Sequence, residues 1–239
     1  MNTEKEYSLL KNALANRVIY SITKFTTLDY PNHLACILWF AKCNMACPYC
    51  YNPDIVRGDG VLSIGEILDF LQKRVGMLDG VVLSGGECTL CPDVEYICEK
   101  IKNLGFKIKI DTNGSSPETL ATLIEKNLVD YVALDYKAPD YKFKNITKRK
   151  DFDKFSQTLD LLISKDVPFE ARTTVHSKLL DEDDINAIIE DLHKRGYGGV
   201  YYLQNYLHVG ETLGETVEQD NKLNVTKLSQ IIPIELRNF

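Results

Sequence analysis

Cys43, Cys47 and Cys50 fall within the eight residues Cys43-Asn44-Met45-Ala46-Cys47-Pro48-Tyr49-Cys50. Thiolates this close need only local chain curvature to converge on one metal centre. A four-iron cluster normally takes four cysteines, so three would leave one iron with an open position for a further ligand. On spacing alone, a three-cysteine zinc site completed by His33 or another residue stays open. Asn44, Pro48 and Asn52 mark an exposed loop rather than an apolar face on which cysteines merely pack, and Tyr49 sets an aromatic ring just before the third thiol.

Such a loop has to be held by regular elements. Six apolar runs read as strands, at 34–40, 81–83, 106–110, 131–134, 169–175 and 200–203. Five helical stripes lie between them. Ser63 and Glu66 form a capping box before Ile64, Ile67, Leu68, Leu71 and Val75. Pro92 suits the first turn of a stretch with Val94, Ile97, Ile101 and Leu104, stopped by Gly105. Ser116-Pro117 opens a third with Leu120, Leu123, Ile124 and Leu128. Phe152, Phe155, Leu159 and Leu162 make a fourth, and Asp181 caps a fifth carrying Ile185, Ile188, Ile189 and Leu192 up to Gly196. Strands joined by helical crossovers must run parallel. A closed eight-unit barrel typically takes about 250 residues. At 239 residues the expected α/β architecture is therefore a partial (β/α)6 TIM-like barrel of parallel strands, with a doubly wound open sheet as the alternative. A single domain, 1–239, is expected, with its patterned core at about 24–214.

In parallel barrels, functional residues collect at the C-terminal ends of strands. Here those ends carry, in order, the cysteine loop, Gly85-Gly86-Glu87, Asp111-Thr112-Asn113, Asp135 with Lys137, Arg172 with His176, and Gln204-Asn205. Glycines let a backbone approach a ligand closely, although turn glycines need no ligand. Lysine and arginine suit oxygen anions, although a solvated strand-end charge is as common.

The remaining composition excludes several classes. With 28 basic and 34 acidic residues, a net charge of −6 gives no field that would recruit nucleic acid. No apolar run approaches the roughly 20 residues that cross a bilayer, so no membrane association is expected. Residues 1–11 lack the succession of a secretory leader, and a cytoplasmic location is expected. Seven cysteines, odd in number and unevenly spaced, fit a reducing compartment and metal or catalytic use. Cys36 reads as core, and Cys88 and Cys91 as small buried residues flanking a turn rather than an auxiliary centre.

The C-x-x-x-C-x-aromatic-C loop after a first strand resembles that of the radical S-adenosylmethionine superfamily. Four stretches extend the likeness: Asp29-Tyr30-Pro31, Cys47 to Asp54, Leu78 to Glu87, and Asp111-Thr112-Asn113-Gly114. Together they are similar to the activating proteins of anaerobic ribonucleoside-triphosphate reductases, relatives of the pyruvate formate-lyase activating enzymes. The likeness covers 24–214. It implies a 4Fe-4S cluster on Cys43, Cys47 and Cys50, with S-adenosylmethionine (SAM) as the second cofactor. By the same resemblance, Gly85, Gly86 and Glu87 meet the methionine amino group, and Asp111, Thr112 and Asp135 hold a monovalent cation beside the methionine carboxylate. Lys137 and Arg172 supply positive charge to that carboxylate or the ribose, Tyr49 lies against adenine, and Asn113 lines the same site.

The implied chemistry is one-electron reductive cleavage of SAM to a 5′-deoxyadenosyl radical, which takes a hydrogen from a glycine of a glycyl-radical enzyme, an anaerobic ribonucleotide reductase. An electron donor such as flavodoxin or ferredoxin charges the cluster, and no general acid, base or nucleophile is asked of the protein. The alternatives are a small-molecule radical enzyme similar to the 7-carboxy-7-deazaguanine synthases, and a non-enzymatic zinc or iron–sulfur protein. The latter leaves the polar strand ends unexplained. The sequence departs from these relatives at Asn32 and Lys42, where glycine is usual, and at Ala46, Tyr51 and Cys88, in place of arginine, histidine and proline. None of these removes a cluster ligand; they bear on which protein is activated.

Overall fold

A computed structural model describes residues 14–165, 167–214, 218–219 and 221–239. Residues 1–11, read above for a leader, lie outside them. The chain folds as α/β with mostly parallel strands, and each of the six expected strands is present within two residues of its expected bounds. It divides into two compact units.

The first unit takes the described part of Met1–Cys43 with Asp54–Asp111 and Thr122–Tyr131. Its strands are β1 (Arg17–Thr26), β2 (Ala35–Phe40), β3 (Leu62–Ser63), β4 (Gly80–Gly85) and β5 (Lys107–Thr112, its last residue in the second unit). They lie in the order β3-β1-β2-β4-β5. β2, β4 and β5 are mutually parallel, whereas β1 runs antiparallel to both β2 and β3. One face of β2, β4 and β5 carries Cys36, Leu38, Phe40, Val81, Leu83, Ile108 and Ile110, all fully buried. The other face packs Tyr30, Ala35, Ile37 and Val82 against Trp39 and Tyr131. Burial on both faces explains why these strands read as unbroken apolar runs, and each such side chain contributes about 1.5–3 kcal/mol.

A short helix α1 (Pro53–Arg57) follows the cysteine loop. The expected capping box starts α2 (Ile64–Gln72): Ser63 Oγ accepts from Glu66 N, and Glu66 Oε2 accepts from Ser63 N. Val75, counted into its stripe, lies beyond the helix and is exposed, because the chain turns at Lys73 to reach Gly76, whose φ is +77°. Helix α3 (Val94–Asn103) buries Val94, Ile97, Cys98 and Ile101 and ends at Gly105, whose φ of +88° suits glycine. Helix α4 is Pro117–Glu125.

The second unit takes Asn44–Pro53, Thr112–Ala121 and the described part of Val132–Phe239. Its strands β6 (Tyr131–Asp135, its first residue in the first unit), β7 (Phe169–Val175), β8 (Tyr201–Asn205) and β9 (Ile234–Arg237) are parallel in that order. Helices α5 (Asp140–Thr147), α6 (Phe152–Ser164) and α7 (Glu182–Lys194) accompany them. Asp181 and Asp184 cap α7 reciprocally, and Ile185, Ile188, Ile189 and Leu192 face inward as expected. Strand β9 and helix α5 were not expected from the sequence. Among the described residues, no helix is long and apolar enough to cross a membrane.

Candidate active site

In the first unit, the end of β2 and the end of β4 are held together. Phe40 stands opposite Gly85 in register, Gly86 N donates to Phe40 O (2.8 Å), and Glu87 N donates to Lys42 O (2.9 Å). A Cβ on Gly85, at φ +117°, would lie 2.5 Å from Phe40 N and O, and one on Gly86 only 1.8 Å from Lys42 O. These glycines are thus required where the turn after β4 presses on the chain leading into Cys43. The Glu87 carboxylate is buried and caps the turn Cys88–Leu90, accepting from Thr89 N (3.1 Å) and Thr89 Oγ1 (2.5 Å). Lys42 and Asn32 both hold left-handed backbone, at φ 72° and 61°, the conformation that suits the glycine the resemblance implies at both positions. At Lys42 the residue costs about 1 kcal/mol, and its ammonium pairs with Asp59 (2.8 Å).

Cys88 is wholly buried, its thiol contacting Leu83 O and Asp111 O at 3.7 and 3.6 Å; burial pushes that thiol up, as it pushes Cys91 to about 11. Both sit beside a turn, as read from the sequence. On β5, Lys109 and Asp111 share a face. The Lys109 side chain is only 3% exposed and its ammonium pairs with Asp111 Oδ1, while Ser84 Oγ donates to Asp111 Oδ2 (3.1 Å). Sequence reasoning missed Lys109 and Ser84. The available signal was a lysine two residues before a strand-end aspartate, inside a strand buried on both faces.

In the second unit, Asn113 holds the start of the cysteine loop. Its Nδ2 donates to Asn44 Oδ1 (3.0 Å), Asn44 Nδ2 donates to Ser115 Oγ (2.9 Å), and Ser115 N donates to Asn113 Oδ1 (3.0 Å). Thr112 Oγ1 accepts from Gly114 N (3.1 Å). Cys50 N donates to Cys47 O (3.1 Å), closing a turn around Tyr49. Burial pushes the Cys47 thiol up to about 11 even though the Lys137 ammonium opposes the shift. Tyr49 is buried, and among the described residues its hydroxyl has no hydrogen-bond partner.

Asp135 at the end of β6 gathers Arg172 Nε (2.5 Å) and Lys137 Nζ (2.9 Å). Burial opposes its ionisation, but the two cations prevail and hold the carboxyl well below the usual range. Lys137 is held well above the usual range: burial disfavours its charge, and Asp135 more than offsets that. The chain of charge continues from Arg172 to Glu170 (3.8 Å) and from Glu170 to Arg237 (3.2 Å). His176 is buried and accepts from Lys178 N through Nδ1 (3.2 Å), and Asn205 Oδ1 accepts from Gln219 Nε2 (3.3 Å). The segment 206–214 straps the cysteine loop: Leu213 N donates to Cys50 O and Gly214 N to Pro48 O, both 3.0 Å, and Tyr51 stacks on Tyr206 at 5.3 Å.

Residues 37–192 match the model of the Radical SAM superfamily. A Methanocaldococcus jannaschii protein named for glycyl-radical enzyme activation is 39% identical over 72% of this chain and 73% of its own length. The 7-carboxy-7-deazaguanine synthase of Haemophilus influenzae is 35% identical over 31% of this chain and 34% of its own. Among solved structures, Streptococcus suis SuiB bound to S-adenosylmethionine superimposes with a TM-score of 0.65 at 12% identity, covering 84% of this chain and 52% of SuiB. The chain thus spans about half the length of that structure, and the likeness shows the fold. A family match over this much of the chain, together with a relative aligned along most of both lengths, places the protein in the radical SAM superfamily.

Proposed function

We propose that this radical SAM enzyme is an activase that generates a glycyl radical on an anaerobic ribonucleotide reductase. The observation that carries the reading is the extent of the match to the Methanocaldococcus jannaschii protein, 181 residues, against 75 for the deazaguanine synthase. The motifs around Asp29, Asp54 and Asp111 support the same reading. The family match takes residues from both units, which supports one catalytic domain over 1–239.

The superfamily works with a 4Fe-4S cluster and SAM. Cys43, Cys47 and Cys50 are assigned to the cluster, since three thiols within eight residues leave one iron open. When bound, the two cofactors supply a carbon-centred radical able to take hydrogen from a glycine Cα. The protein's part is positioning and exclusion of water. The Tyr49 hydroxyl, unpartnered among the described residues, fits a site completed by a polar ligand, and its ring is assigned to adenine. The turn Gly85-Gly86-Glu87 offers its backbone to the methionine amino group. Thr112 and Asn113 shape the loop that carries the thiols, and the network of Asp135, Lys137 and Arg172 carries excess positive charge suited to the cofactor's oxygen atoms. A flavodoxin or ferredoxin in the cytoplasm would supply the electron.

Anaerobic mixing of the reconstituted, reduced protein with the reductase and SAM should give a glycyl-radical spin signal that is absent with Cys47→Ala. Formation of 5′-deoxyadenosine without that signal, but with formation of 7-carboxy-7-deazaguanine from a small-molecule substrate, would move the protein to the deazaguanine synthase reading.

A further inference from the structure

The resemblance places a monovalent cation between the protein carboxylates and the methionine carboxylate, but the residues present do not fit one. The Asp111 carboxylate already holds an internal ammonium, that of Lys109, on one oxygen and the Ser84 hydroxyl on the other. Asp135 independently holds Lys137 and Arg172. We propose that the Lys109 ammonium is a built-in counter-ion that takes the cation's place at Asp111, so that SAM binding by this protein needs no added monovalent cation.

The physical case rests on three observations. Lys109 sits on the same face of β5 as Asp111, two residues before it, so the pairing is fixed by the strand itself. The side chain is 3% exposed, and a buried ammonium is retained only where an anion answers it. An ammonium has three N–H donors, of which the Asp111 pairing takes one. A second carboxylate brought beside Asp111 would meet a like charge unless a cation lay between them, and Lys109 is placed to be that cation. The inference rests on the assignment of Asp111 to the SAM site; Lys109 is then a positioning residue for the cofactor.

The test is SAM affinity of the anaerobically reconstituted protein, measured in potassium buffer and in tetramethylammonium buffer. Wild-type affinity should agree between the two buffers within about twofold. Lys109→Met should lose about tenfold or more in tetramethylammonium, the worth of a charged hydrogen bond, and recover in potassium, which can enter beside Asp111. Lys109→Arg should restore cation independence. Lys109→Met/Asp111→Asn removes both charges, so no buried ion is left unpaired; it should bind weakly with no rescue by potassium. A wild-type affinity that rises about tenfold with potassium, or a Lys109→Met protein that matches the wild type in tetramethylammonium, would overturn the inference and leave the activase reading intact. Absence of SAM binding by the wild type in both buffers would overturn the site assignment and the inference with it.

Discussion

The backbone of Gly86 lies against the carbonyl of Lys42, so closely that a Cβ at Gly86 would stand 1.8 Å from that oxygen. The contact ties the turn after β4 to the residue preceding Cys43, and Glu87 N seals it by donating to the same carbonyl at 2.9 Å. Gly86→Ala should therefore destabilise the protein by about 3 kcal/mol or more and lower the iron retained after reconstitution. Gly198→Ala, whose added Cβ meets nothing within 4 Å, should stay within about 0.5 kcal/mol. Urea unfolding and iron analysis of both variants check this.

Asp135 makes the acid side of the stability profile specific. Its folded pKa is depressed by Arg172 and Lys137. The stabilisation is therefore complete above the carboxyl's unfolded value of about 3.9 and is lost as pH falls through the folded one. Asp135→Asn should cost about 2–3 kcal/mol at pH 7, since two half-buried cations lose their partner, and the deficit should shrink as the pH drops below about 4. Unfolding curves at neutral and acid pH that kept a constant deficit would contradict the network.

The hydroxyl of Tyr49, unpartnered among the described residues, predicts opposite effects of one substitution. Tyr49→Phe should stabilise protein prepared without cluster by about 1 kcal/mol, because a buried orphan donor is removed. It should weaken SAM binding by about tenfold if the cofactor answers that hydroxyl. Calorimetric unfolding and a SAM titration read the two effects separately.

Gly214 lies 2.8 Å, at its would-be Cβ, from Pro48. Gly214→Val should lift the strap that donates to Pro48 O and Cys50 O. Iron loss to a chelator should accelerate by about tenfold, while the melting temperature, set mainly by the strands and helices, moves by only a few degrees. Equal rates of iron loss in the two proteins would mean the strap does not hold the loop.

Much of this was legible in the sequence, for physical reasons. Strands buried on both faces, such as Ala35–Phe40, announce themselves as apolar runs, and the capping boxes at Ser63 and Asp181 mark helix starts by local chemistry alone. Strand β1 was missed because two register shifts break its period of two. Helix α5 was missed because it carries only Phe143, Ile146 and Thr147 as buried residues. In the site, motif spacing named the residues but not their partners. The resemblance makes Asp135 a cation ligand and gives Lys137 and Arg172 to the cofactor's carboxylate or ribose, whereas the structure binds the three together. That pairing of Asp135 with Arg172 spans 37 residues and depends on the register of β6 with β7, which local pattern does not encode. Lys109 escaped notice because a lysine in an alternating strand reads as solvent-facing.

The most direct measurement is 5′-deoxyadenosine formed from SAM by the anaerobically reconstituted and reduced protein, compared with Cys43→Ala, Cys47→Ala and Cys50→Ala. The account predicts product from the wild type and none from any of the three variants. A reconstituted wild-type protein that binds SAM without cleaving it, or a variant lacking one of these thiols that still yields 5′-deoxyadenosine, would contradict it.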